Sequence, residues 1–351
     1  MIEIRKNKSK ESVINNSKLI TFDKNGYDKS IDFIKGLCIL AVVVTHCIPY
    51  VIHKYFLFCL WIDWQVALFL IIQTFHTYKK GIDIRFPKFQ KLWKRIIKPF
   101  LFTEIIIFIG VIVGGYIMKQ EALSAIVKKF ILSGGWGPGS YYPWIYLQMA
   151  LLLPLIAPMF KKIKAKYFIW VFIAISEALE ILCSVINMPE WLYRLLFFRY
   201  FFLIYFGYLL VMKELRINKK TIFLSVISII AILIFQYANL NMEPFFFATG
   251  WKIFHWISYF YVAYILLYLL KLLYAKMSRY IKVTAYIENM GKYSYEIFLL
   301  QMLYFSLVSP VINQLFKMLI NEYIAVMLYV AISIIVSIVP VVYYKIRRSQ
   351  K

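Results

Sequence analysis

Acid is scarce in this sequence: 17 Asp and Glu stand against 41 Lys and Arg in 351 residues, a formal charge of +24. Polar chain is scarce as well. Only 17% of residues are charged, whereas 62% are hydrophobic and 19% aromatic, with a mean hydropathy of +0.70. A soluble globule carries nearer half apolar residues, so that class is excluded and a polytopic membrane protein is expected. No apolar run precedes Ile31, so no cleavable signal peptide is expected and the first span should stay in the membrane. The four cysteines, Cys38, Cys47, Cys59 and Cys183, sit in or beside apolar segments without CxxC spacing, which points away from a metal centre and from a disulfide framework. No internal repeat is visible, and no hydrophilic stretch is long enough for a second folded domain.

Apolar runs of about 20 residues predict an all-α architecture of ten membrane spans. They lie near 31–52, 56–77, 99–118, 142–160, 167–186, 195–212, 221–240, 251–271, 294–315 and 324–344. The fourth is interrupted by Pro143, Pro154 and Pro158. Three segments follow: a polar arm over 1–30, a single transmembrane domain over 31–344, and a basic tail over 345–351. The arm reads as solvated and able to touch anionic headgroups.

The basic residues alternate in side. Segments 1–30, 79–98, 161–166, 213–220, 271–292 and 345–351 hold 32 of the 41 Lys and Arg, the intervening connections hold 7, and Lys35 and Arg199 lie within spans. That imbalance places both termini in the cytoplasm and explains the net charge by topology, so no nucleic-acid partner is expected. The longest outer connection, 119–141, opens on EALSAIVKKFIL, expected as a short interfacial helix, and closes on SGGWGPGS, expected as a flexible turn. The glycine run lacks the Lys-Ser/Thr ending of a phosphate loop.

Charge inside the spans is expensive and marks candidate function. By depth, Lys35, Gln73, Arg95, Glu104, Glu296 and Gln301 form a cytoplasmic layer; His46, Asp63, Glu180, Arg199 and His255 form an outer one, with Glu177 between. Lys35 and His46 share the first span, eleven residues apart, about 16 Å along a helix. His46 is the candidate general base, the alternative being a histidine bonded to a neighbouring helix. Lys35 can hold a phosphate as a point charge or snorkel to headgroups. Arg199 and Glu180 either neutralise one another or hold substrate. Asp63 orients His46, caps a helix or faces solvent. Trp136, Tyr141, Tyr142 and Trp144 are stacking platforms for sugar rings or interfacial belt residues. The basic run FQKLWKRIIKPF, with Arg95, serves positive-inside bias or an anion site.

The stretch DFIKGLCILAVVVTH, with ten residues between Lys35 and His46, resembles the first helix of the membrane acyltransferase-3 family. VALFLIIQTFHTYKK (66–80), FQKLWKRIIKPF (89–100), YYPWIYLQMALLLPLIAP (141–158), RYFFLIYFGYLL (199–210) and GKYSYEIFLLQ (291–301) are similar to later blocks of that family in the same order. Gln73 and Thr74 replace a frequent Ser-Gly, and Gln301 stands where a histidine commonly closes the late motif. The resemblance implies a multi-pass inner-membrane enzyme that transfers an acyl group, most often acetyl, from cytoplasmic acyl-CoA to a hydroxyl of a surface polysaccharide or lipid-linked glycan. No permanently bound cofactor is implied. Lys35 and Arg95 would face the CoA phosphates, His46 would deprotonate the sugar hydroxyl or relay the acyl group, and Asp63, Trp136, Glu180 and Arg199 are candidate substrate contacts. A glycan transporter, with the buried ions as a proton relay, and a non-catalytic subunit of an export complex are the competing readings.

Overall fold

The computed structural model describes residues 18–23, 26–48, 57–79, 81, 89–114, 122–162, 165–241, 255–319 and 322–349. Outside them lie most of the N-terminal arm, the connections carrying Lys54, Lys119 and Lys252, and the outer ends of the expected spans 31–52, 99–118 and 251–271.

The described chain is almost wholly helical. In order run α1 (Lys29–Cys47), α2 (Gln65–Tyr78), α3 (Phe89–Gly114), α4 (Leu123–Leu132), α5 (Tyr142–Ile156) and α6 (Ala165–Val185). There follow α7 (Phe198–Met212), α8 (Lys219–Asn241), α9 (His255–Met277), α10 (Ile281–Lys292), α11 (Ser294–Gln314) and α12 (Glu322–Ser349). Among the described residues, six helices are long and apolar enough to cross a membrane: α1, α3, α6, α9, α11 and α12. Each of the other expected spans also falls on a helix, yet α2 has 14 residues and α5 has 15. At 1.5 Å per residue these reach only about 21–23 Å, short of a hydrocarbon core of about 30 Å. Short helices leave irregular backbone at membrane depth, which lipid does not tolerate but a polar cavity does. The short apolar helices α2, α5 and α7 all contribute to the cavity described below.

α7 holds the centre: every residue from Leu203 to Val211 is buried, the pattern of a helix enclosed on all sides. It packs on α2, where Thr74 is fully buried against Gly207. Thr74 thus has room because a glycine stands opposite it on the facing helix. A second core joins α1, α3, α11 and α12 through Ile39, Phe100, Met302 and Ile338.

α1 starts cleanly because the Asp28 carboxylate accepts the Ser30 N–H at 2.8 Å, an N-cap. Its N-terminal half lies against α10, and two glycines permit the approach. A Cβ on Gly36 would sit 2.0 Å from the Ile287 carbonyl oxygen, and one on Gly291 would sit 1.7 Å from that of Asp32.

Part of the arm expected to be solvated is packed. Lys18–Leu19 pairs antiparallel with Arg216–Ile217, Ile20 and Phe22 are buried, the Phe22 ring lies 5.3 Å from that of Phe75, and Lys271 donates to the Thr21 carbonyl. Loop 133–140 is likewise no loose turn. The Trp136 N–H donates to Glu104 at 2.8 Å, the Trp144 indole donates to the Gly134 carbonyl at 2.6 Å, and Cβ atoms at Gly135, Gly137 and Gly139 would meet Glu104, Ser306 and Phe298. Glu104, buried and bound to this loop, lies toward the opposite end of α3 from Arg95. Fifteen residues of α3 separate it from Phe89, about 22 Å of rise.

Candidate functional site

One cavity of about 1430 Å³ runs among these helices, and it gathers residues far apart in sequence. From α1 come Lys35 and His46; from α3, Arg95; from the connection before α2, Asp63; from the start of α7, Arg199. Five of the seven residues that the family resemblance gives a site role therefore face one space. Glu180 and Trp136 do not. Glu180 is buried behind the wall, where it accepts the His255 N–H at 3.4 Å. Trp136 packs into the core of α1, α3, α11 and α12, with the Lys129 ammonium 4.8 Å from its ring centre.

Local backbone explains the aim of several side chains. The helix α3 widens into a π-turn over Trp93–Ile97 just before Pro99. Proline has no N–H for the carbonyl four residues back, here that of Arg95, and a π-turn is one way a helix absorbs that loss. The Tyr295 hydroxyl donates to the Ile96 carbonyl at 2.7 Å, so α11 braces the widened turn. Lys94, Arg95, Ile96 and Pro99 all reach the cavity wall.

His46 lies in the last turn of α1, exposed on the cavity wall, with its ring edge-on to Phe305 at 5.8 Å. Its neighbour Thr45 is tethered: Thr45 Oγ1 donates to the Ala41 carbonyl at 2.8 Å and accepts from Gln65 Nε2 at 2.9 Å. The end of α1 is thus held against the start of α2. At the other end of α1, Lys35 Nζ contacts Asp32 Oδ1 at 3.0 Å. The lysine is thus paired within its own helix, and Asp32 also accepts from the Tyr27 hydroxyl.

Gln73 and α5 frame the middle, with Gln73 Nε2 donating to the Tyr146 carbonyl at 3.0 Å. Arg199 is fixed through its backbone. Gln148 donates to the Leu195 carbonyl at 2.6 Å and accepts the Phe197 N–H at 3.2 Å, and the Tyr259 hydroxyl donates to the Arg199 carbonyl at 2.8 Å. The expected Arg199–Glu180 pair is not made: among the described residues, no ion pair joins them. The guanidinium lies instead over Tyr200 and Tyr141, 4.6 and 5.4 Å from the ring centres. Glu177 is engaged elsewhere, accepting from the Trp256 indole at 2.9 Å.

Several lining residues escape the sequence reading. His76 faces the cavity from the last turn of α2, and Lys292 from the end of α10. His76 stands three residues after Gln73 on an apolar helix, so the criterion that selects His46 also finds it. Tyr200 and Tyr259 carry no such signal among 28 tyrosines. Gln301, by contrast, is fully buried with neither amide atom hydrogen-bonded and does not line the cavity. No group of residues able to hold a metal occurs among the described residues.

The cavity combines a cationic mouth, formed by Lys35, Lys94, Arg95 and Lys292, with an imidazole and a carboxylate at His46 and Asp63. Such a wall can hold a phosphorylated ligand at one end and accept a proton from a hydroxyl at the other. The sequence model of a family described as an acyltransferase domain matches residues 28–344. No curated protein and no solved structure matches the chain.

Proposed function

We propose, for a chain that belongs to the acyltransferase domain family and is a membrane acyltransferase, that it moves an acetyl or similar acyl group from acyl-CoA to a glycan hydroxyl. The chain would sit in the plasma membrane with ten spans and both termini in the cytoplasm, acting on a cell-surface polysaccharide or its lipid-linked precursor. One observation carries this reading: a single cavity is lined both by Lys35 and Arg95 and by His46 and Asp63. A donor bound at the cationic mouth and an acceptor beside the imidazole would then share one space, and transfer needs no movement of the acyl group through lipid.

In this scheme the phosphates of CoA lie against Lys35, Lys94, Arg95 and Lys292. The glycan hydroxyl oxygen attacks the thioester carbonyl while His46 takes its proton. The tetrahedral adduct collapses, the C–S bond breaks, and the CoA thiolate leaves and is protonated. The products are an O-acyl ester and free CoA, with atoms and charge in balance. Asp63 steadies the imidazole and its positive charge. Stabilising the developing oxyanion takes a preorganised donor.

His46→Ala should leave the protein folded and inserted while abolishing transfer. Membranes incubated with acyl-labelled acyl-CoA should place label in the glycan with the parent protein and none with the variant. Full activity in a well-expressed His46→Ala protein overturns the assignment.

A further inference from the structure

The half of the cavity around Arg199 has an electrostatic imbalance that acyl-CoA, placed at the opposite mouth, does not resolve. Arg199 reaches the wall with its Nε buried and without a hydrogen-bond partner. The aromatic rings of Tyr141 and Tyr200 cover it, and a cation over rings gains from their quadrupoles without being neutralised. Glu180 and Glu177, the acids of the neighbouring α6, attract the guanidinium only at a distance: they accept from the His255 N–H and the Trp256 indole, and among the described residues neither makes an ion pair with Arg199. Across the whole wall, Lys35, Lys94, Arg95, Arg199 and Lys292 face Asp63 and Glu296, and Glu296 is already paired with Lys345 at 2.9 Å. A half-buried guanidinium whose Nε is fully buried, with no carboxylate in contact, is costly unless a ligand brings the counter-charge.

We infer that Arg199, backed by Tyr141 and Tyr200, is an anion subsite for the acceptor, which is therefore an acidic glycan. Its carboxylate or phosphate sits on the guanidinium while a hydroxyl of the same molecule reaches His46. The fork of N–H donors suits either planar carboxylate or phosphate oxygens, and the backbone tethers from Gln148 and Tyr259 hold the turn that carries it. The inference rests on the proposed glycan acylation for the role of the hydroxyl, but the anion subsite stands by itself as a binding site.

The test uses the full chain purified in detergent and three probes: methyl glucuronoside, glucose 6-phosphate and methyl glucoside. Thermal denaturation reads binding, and label transferred from acyl-labelled acetyl-CoA reads chemistry. The charged sugars should raise the melting midpoint of the parent protein and the neutral one should not. Arg199→Gln should weaken the charged-sugar response about tenfold or more, as loss of a charge-assisted contact does, and Arg199→Lys should keep part of it. A response to the glucuronoside alone, to the phosphate alone, or to both supports the subsite and identifies the anion. An equal response to all three probes, no response to any, or a charge preference that survives in Arg199→Gln overturns it. Should Arg199→Gln fail to fold, the parent comparison and Arg199→Lys still decide. If charged sugars bind through Arg199 while no label leaves acetyl-CoA, the transfer reading fails and the subsite stands.

Discussion

Lys35 is claimed from two sides, by Asp32 one turn away at 3.0 Å and by the cavity it lines. Asp32 is buried but also accepts from the Tyr27 hydroxyl, so it keeps a partner when an incoming phosphate shares the ammonium. Lys35→Ala should accordingly raise KM for acyl-CoA about tenfold and change kcat less, measured by initial rates at saturating acceptor. Gln65 tests the other end of α1. Its bond to Thr45 fixes the turn that carries His46, and Gln65→Leu should lower kcat with KM for both substrates little changed, because a misplaced base costs rate rather than binding. Lys35 and His46 are legible in the sequence because a charge inside an apolar run is visible without any fold. Glu180 and Trp136 look equally conspicuous there, yet face the protein interior, since depth along a helix says nothing of which way a side chain points.

At the scale of elements, the crossing of α1 and α10 sets where Lys35 stands. Gly291→Ala puts a Cβ 1.7 Å from the Asp32 carbonyl oxygen, a backbone atom that cannot rotate away, so the helices must part. The expected result is a loss of about 1–3 kcal/mol, as in overpacked cores, read as a lower melting midpoint together with a raised KM for acyl-CoA. Gly114→Ala in α3 meets nothing within 4 Å and should be neutral or stabilising by up to about 1 kcal/mol. The π-turn of α3 offers a further probe: Tyr295→Phe deletes the brace on the Ile96 carbonyl and should cost about 1 kcal/mol. Helices themselves are legible from apolar length. Their shortness at α2 and α5 is not, because the apolar run counts residues and the neighbours decide how many stay helical. The same holds for loop 133–140, whose glycines read as slack but serve close contact with Glu104, Ser306 and Phe298.

At the scale of the molecule, the distribution of Lys and Arg implies an orientation that impermeant thiol reagents can check. Ser278, exposed after α9, and Ser133, exposed at the end of α4, are suited to single cysteines in a background with the native cysteines replaced. Ser278→Cys should label only after permeabilisation and Ser133→Cys in intact cells; the reverse pattern would invert the proposed topology. The pairing of Lys18–Leu19 with Arg216–Ile217, reinforced by Lys271 at the Thr21 carbonyl, also bears on biosynthesis. Residues 18–22 leave the ribosome first among the described ones, yet their partners emerge only after some two hundred further residues. The segment must wait through the insertion of α1 to α7 before it can dock. A chain arrested before residue 216 should therefore be cleaved by protease near residue 20, and completion of α9 should close that site, so that the start of the protein reports when its middle has been made.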